Sequence, residues 1–171
     1  NDNTKLELGN ASDLQIYHNG SHSYIDENGA GILAIRSNGT EVAISTVSGE
    51  SMGRFINDGG VELYYNNVKH FETIDGGVKV LGTEGGTGNI ELFADEGDDD
   101  SDKWRFQAST GGDLLIQNYG GGAWDENIKC TANGGVKLYY DDNLKFETTS
   151  TGATVSGNQT LTQSGSTTAW G

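Results

Sequence analysis

Apolar and polar residues alternate along almost the whole chain with a period of two, and Gly-Gly, Asn-Gly or Asp-rich pairs interrupt the alternation every few residues. A period of two sends successive side chains to opposite faces of an extended strand. The pattern predicts strands or hairpins at Lys5 to Leu8, Asp13 to Ile25, Ile32 to Arg36, Glu41 to Val47, Val61 to Thr73 and Val78 to Leu81. It continues with Ile90 to Ala94, Lys103 to Ala108, Leu114 to Gln117, Asn127 to Cys130, Val136 to Thr148 and Ala153 to Val155. No stretch of a dozen residues carries a helical stripe free of glycine, so the expected class is all-β.

The pattern also repeats. Gly59-Gly60-Val61-Glu62-Leu63-Tyr64-Tyr65, ending in Phe71-Glu72-Thr73, returns 75 residues later as Gly134-Gly135-Val136-Lys137-Leu138-Tyr139-Tyr140, ending in Phe146-Glu147-Thr148. Between Gly59–Gly82 and Gly134–Gly157 the match needs no gap and keeps 12 of 24 residues. A looser copy runs from Leu14 through Tyr17 and His18-Asn19-Gly20 to Tyr24, and Asp113-Leu114-Leu115-Ile116 echoes Asp13-Leu14-Gln15-Ile16. Each copy reads as a hairpin with a two-residue turn at Asn19-Gly20, Asn66-Asn67 or Asp141-Asp142, residues that tolerate positive φ. That register sets Tyr64 opposite Lys69 and Glu62 opposite Phe71, so Tyr64 with Phe71, Tyr139 with Phe146 and Tyr17 with Tyr24 become aromatic pairs sharing a face. Val61, Leu63 and Tyr65, with Val136, Leu138 and Tyr140, fall on the other face, where Leu63 and Leu138 are the expected buried partners. Divided by the repeats, the chain reads as a first unit over 1–57, a second over 58–88, an insert with an acidic loop over 89–132, a third unit over 133–158 and a Ser/Thr-rich tail over 159–171.

Only 35 of 171 residues are Leu, Ile, Val or Phe, against 27 glycines and no proline. So little aliphatic mass makes a large private core an unexpected outcome, and repeats that cannot each close a core imply stacking or burial shared between identical chains. The net charge of −15, with ten Lys and Arg, argues against nucleic acid and against an anionic membrane as partners. No apolar run reaches the roughly 18 residues of a membrane span, so no membrane insertion is expected. Cys130 is alone and has no neighbouring histidine, and the first residue is Asn rather than Met, as expected of a piece of a longer protein.

Candidate chemistry is sparse. Asp98, Asp100 and Asp102 have the alternate spacing that opens an EF-hand loop, but Lys103 stands where that loop needs Gly and Ser109 where it needs Glu. An irregular Ca2+ loop would use these three carboxylates; a solvated loop tip is the expected reading, with no cofactor. His18 and His22 flank a turn but point to opposite faces in the hairpin register. There is no Gly-x-Ser-x-Gly elbow, and the glycine-rich runs at Gly82–Gly88 and Gly120–Gly122 lack the lysine of a phosphate loop. Glu72 and Glu147 occupy equivalent repeat positions and read as cross-chain salt-bridge or turn-capping partners rather than acid catalysts. No catalytic residue is expected. Trp104 and Trp124 read as core or subunit contacts before sugar-stacking platforms, and Trp170 is left unassigned.

Asp13-Leu14-Gln15-Ile16-Tyr17-His18-Asn19-Gly20-Ser21-His22-Ser23-Tyr24-Ile25, Ala94-Asp95-Glu96-Gly97-Asp98-Asp99 and Val136-Lys137-Leu138-Tyr139-Tyr140-Asp141-Asp142 with Phe146 to Gly152 resemble repeats in virion fibre proteins of marine tailed bacteriophages, cyanophages among them. The resemblance spans roughly residues 10 to 157 and carries no catalytic motif. It implies an elongated, homotrimeric β fibre of repeated hairpins, an intertwined β-prism or β-helix-like shaft, located on a virion. The implied partners are other virion proteins and, through the whole fibre, a host surface receptor. Two alternatives stand beside it: a carbohydrate-binding module contacting host glycan through Trp124, Tyr119 or the Asp98 to Asp102 loop, and a head fibre or capsid decoration.

Overall fold

The computed structural model describes residues 1–159, which excludes nearly all of the Ser/Thr-rich tail and Trp170. The chain is all-β and forms three antiparallel sheets in which every strand pairs with its sequence neighbour. The first sheet holds β1 (Lys5–Leu8), β2 (Leu14–His18) and β3 (Ser23–Glu27). The second holds β4 (Glu41–Ser45), β5 (Ser51–Ile56), β6 (Val61–Tyr65), β7 (Val68–Ile74) and β8 (Gly77–Val80). The third holds β9 (Gly88–Phe93), β10 (Lys103–Ala108), β11 (Leu114–Gly120), β12 (Ala123–Cys130), β13 (Val136–Tyr140), β14 (Asn143–Thr149) and β15 (Gly152–Val155). The repeat boundaries at 57/58 and 132/133 therefore run through continuous sheets.

Two expected hairpin turns form as read. Asn66 and Asn67 have φ of 51° and 62°, and Asp141 and Asp142 have 51° and 56°, the left-handed pair that a type I′ turn requires. The first copy differs. β2 and β3 are joined by four residues, and the Asn19 carboxamide oxygen accepts from the amides of Ser21 and His22 at 3.0 and 2.9 Å. Tyr17 consequently lies directly opposite Tyr24, with the rings stacked at 4.9 Å, rather than diagonal to it.

A β-bulge overturns the other two aromatic pairs. Tyr64 does face Lys69, but Leu63 faces Phe71, leaving His70 as the extra residue; Lys145 is the extra residue between the pairs Tyr139–Leu144 and Leu138–Phe146. One inserted residue transfers the rest of the strand to the opposite face. Phe71 and Phe146 therefore join Leu63 and Leu138, while Tyr64 and Tyr139 remain on the other side. The sheets are not apolar on both faces, as the unbulged register implied.

The duplication is larger in space than in sequence. A second bulge, at Met52 in β5 and at Asn127 in β12, sits at the same place in each unit. The amide of Ser51 donates to the Asn67 side chain at 2.8 Å, and that of Glu126 donates to the Asp142 side chain at 2.9 Å. The ion pair of Arg54 with Glu41 has its counterpart in Lys129 with Asp113. So β4–β8 and β11–β15 are two versions of one five-stranded meander. A smaller correspondence links β1–β2 with β10–β11, where Leu8 pairs with Leu14 as Ala108 pairs with Leu114; the echo of Asp13–Ile16 at Asp113–Ile116 lies in equivalent strands.

Two sequence expectations fail locally. Ser51–Ile56 is a strand that the pattern did not disclose, because Gly53 interrupts its alternation; it pairs Gly53 with Leu63. Ile32 to Arg36, expected as a strand, pairs with nothing and forms no regular element.

Gly60 and Gly135 mark the tightest point of both units. A Cβ there would lie 2.2 Å from the Thr73 carbonyl oxygen or 2.1 Å from that of Thr148, while Thr73 and Thr148 accept from the next amides, Val61 and Val136, at 2.9 Å. Replacing Gly135 by Ala should cost about 2 kcal/mol or more, because backbone must move, whereas Gly77→Ala, with open space around it, should stay within about 0.5 kcal/mol. Urea-unfolding midpoints of the two variants check this, and equal midpoints would refute the close-approach argument.

Candidate functional site

The bulges sort each sheet into a wet face and an apolar one. On the apolar side of the third sheet, Ile90, Phe106, Ile116, Ile128, Leu138, Phe146 and Val155 are consecutive cross-strand partners, one from every strand. In the second sheet the corresponding row is Ile44, Gly53, Leu63, Phe71 and Val80, and in the first it is Leu6, Ile16 and Ile25. Val78 and Val80 of the second sheet and Ile90, Phe106 and Leu114 of the third line one shared depression, so the two rows adjoin. Trp104 extends the third row beside Leu92, and Cys130 lies half-buried between Leu114 and Val136.

Apart from Leu33 and Ile35, which lie against Val42, Ile44 and Phe55 at one end of the second row, no described residue covers this surface. Leu63 and Leu138, the expected buried partners, are 47% and 39% exposed. Among the described residues the only buried apolar side chain is Leu115, which sits on the wet face of the third sheet. The chain exposes 12918 Å², whereas a folded monomer of 18.1 kDa exposes about 8,100 Å². The twelve residues beyond 159 account for no more than about 1,700 Å² of that difference even when fully extended.

The wet faces are ordered by charge. In the second sheet Glu41, Arg54, Glu62, Lys69, Glu72 and Lys79 form a continuous ladder of alternating sign across all five strands. Glu72, expected as a cross-chain partner, is satisfied within its own sheet by Lys69 and Lys79, and Glu147 lies 3.8 Å from Lys137. The Tyr64 hydroxyl donates to Glu62 at 2.5 Å, and together with Lys69 it holds the Glu62 carboxyl below its usual range; Lys69 and Lys79 do the same for Glu72. In the third sheet, Asp113 is lowered by Lys129 and by the amide of Ala132. In the first sheet Lys5 lies over the Tyr17 ring at 4.7 Å, and the Tyr17 hydroxyl donates to Asp26 at 3.0 Å.

The acidic run forms the connection between β9 and β10 as two single turns, Asp95–Gly97 and Asp100–Asp102. It does not assemble the expected trio. Asp98, Asp99 and Asp102 bring carboxylate oxygens within 4.8 Å of one another, while Asp100 turns away to Lys103 at 3.2 Å. Beside this loop, Trp124 meets Tyr119 edge-on at 5.3 Å, and the Arg105 guanidinium lies 4.2 Å from the centre of the Trp124 ring. His18 engages the Ser23 hydroxyl at 3.2 Å, and His22 lies 6.2 Å from the Tyr24 ring. His70, the bulge residue, sets its Nδ1 3.1 Å from the Leu81 carbonyl. Among the described residues no helix is long and apolar enough to cross a membrane.

Carboxylates whose folded-state pKa lies below the unfolded value stabilise the fold fully above the unfolded pKa, and this stabilisation is lost as pH falls through the unfolded and then the folded pKa. The thermal midpoint should therefore drop on acidification from neutrality to about pH 3, past the ordinary glutamate value of about 4.3. Glu62→Gln should lower the neutral-pH midpoint and make the acid drop shallower, as read by melting curves across the range; an unchanged acid profile would show that the ladder contributes nothing.

No protein-family model matches the chain, and no curated protein or solved structure matches it.

Proposed function

We propose that this chain is a non-enzymatic structural segment of a bacteriophage virion fibre, a shaft or connector that assembles as a homotrimer and supports host attachment by the fibre as a whole. The observation that carries the reading is the uncovered apolar row running across every strand of the second and third sheets. A single-layer sheet with one apolar face needs a second layer, and a chain whose described residues bury only Leu115 among their apolar side chains leaves that layer to another molecule. Copies of the same chain supply it in fixed stoichiometry, each offering an equal apolar row, and in a three-fold ring the contacts close head to tail. The resemblance of residues 10 to 157 to phage fibre repeats adds the number three and the virion setting. Other virion proteins and a host surface receptor are the partners of this reading, at the ends of the fibre rather than along its wall.

The carbohydrate-binding alternative draws on Tyr119 and Trp124 beside the acidic loop. It has weaker support, because Arg105 already occupies one face of the Trp124 ring and Tyr119 meets the ring edge-on.

Light scattering of the native protein should give the mass of three chains. Phe146→Ala removes an apolar-face side chain and should lower the melting temperature of the assembly by several degrees, or dissociate it, whereas Tyr139→Ala, on the wet face, should leave the mass unchanged. A compact monomer would overturn the proposal.

A further inference from the structure

The two five-stranded meanders differ at one edge. In the third sheet the first strand of the meander, β11, is flanked by β10, whereas its counterpart β4 is the outermost strand of the second sheet and its outer edge is unpaired. Glu41 corresponds to Asp113, and counting back by the same interval of 72 residues aligns Gly31–Arg36 with Lys103–Ala108, the whole of β10. The connections agree as well, since Ser37 then matches Ser109 and Gly39 matches Gly111. The duplication thus reserves a place at the β4 edge for a segment that forms no strand.

That segment is apolar and poorly satisfied. Ile32 is 83% exposed and Ile35 is 70% exposed. Leu33 and Ile35 line a depression with Val42, Ile44 and Phe55, on the apolar face of the second sheet. The side chains explain why this copy behaves differently. In the register of β10, Arg105 and Gln107 point to the wet face, but the residues at those positions here are Leu33 and Ile35. In a lone chain they gain more from lying on the uncovered apolar face than from pairing at the edge.

We infer that Gly31–Arg36 is a conditional sixth strand of the second sheet, which pairs with β4 of its own chain once a second copy of this chain covers the apolar face at Val42, Ile44 and Phe55. The inference rests on the self-assembly proposed above. A second copy offers the chemistry required, an equal apolar row, and the surface excess of at least about 3,100 Å² that remains after the residues beyond 159 are discounted is far more than the roughly 800 Å² each partner buries in a standard interface. Displaced from its seat by that partner, the segment takes the antiparallel register of β10: Arg36 opposite Val42, Ala34 opposite Ile44 and Ile32 opposite Thr46. Ala34 then extends the row Ile44, Gly53, Leu63, Phe71 and Val80 by one strand. The exposed edge of β4 becomes covered in the same step.

Hydrogen exchange on the full chain, with the mass of the particle measured in parallel, tests the inference. In a multi-chain particle the amides of residues 32–36 should alternate, every second one slowed at least about tenfold relative to exposed loop amides, as expected of an edge strand. A double variant, Ala34→Cys with Ile44→Cys in a Cys130→Ser background, should oxidise to a disulfide within one chain. A multi-chain mass with unslowed exchange would overturn the conditional strand while leaving self-assembly intact. A disulfide between chains would overturn the pairing within one chain in favour of a strand exchanged between copies. A monomeric mass would overturn the self-assembly reading and this inference with it.

Discussion

A single-layer β-sheet with one apolar face cannot be a finished structure in water, and this chain has three such sheets. Hydrophobic burial is the dominant favourable contribution to folding, yet among the described residues Leu115 alone is buried as an apolar side chain. Backbone pairing between neighbouring strands holds each sheet in shape, and charge ladders and caps hold the register, but none of these supplies a second layer. The rest of the described structure reflects that deficit: the aligned row from Ile90 to Val155, the adjoining row in the second sheet, and, among the described residues, no second layer over either beyond Leu33 and Ile35 at one end. The fold presents a surface that its described residues do not bury.

The bulges make that surface possible. Without the extra residue at His70 or Lys145, Phe71 and Phe146 would stand on the wet face among Glu62, Lys69 and their counterparts, and each row would be broken at its fourth or sixth strand. The same one-residue insertion releases Tyr64 to donate its hydroxyl to Glu62 rather than pack against Phe71. A bulge is thus what converts a repeat with apolar residues at both parities into a sheet with one dry and one wet side.

The strand content was legible in the sequence because a period of two survives almost everywhere, and the turns at Asn66-Asn67 and Asp141-Asp142 were legible because few other residues accept that backbone. The faces were not. No residue type announces a bulge at His70, so the parity of Phe71 could not be read, and with it went the expected aromatic pairs. The strand at Ser51–Ile56 was hidden by Gly53, which removes the apolar side chain that would have marked the alternation. The full duplication escaped for a related reason: Arg54 with Glu41 and Lys129 with Asp113 perform the same task with different residues, and the longer tip at Gly120–Gly122 shifts the spacing from 72 to 75 residues. The acidic loop was placed correctly between its strands, but which carboxylates converge depended on Lys103 drawing Asp100 aside.

The ladder on the second sheet is internally neutral, three cations against three anions, so it contributes almost nothing to the net charge of −15. Much of the uncompensated charge resides instead at the strand ends, in the run Asp95–Asp102 and in turn residues such as Asp141 and Asp142. A neutral ladder on the second sheet and anionic loop ends differ in the forces they exert: over distances shorter than a Debye length of about 8 Å in physiological salt, the acidic ends repel their equivalents on another molecule while the ladder remains indifferent. Divalent counter-ions would condense first at those ends, away from the apolar rows.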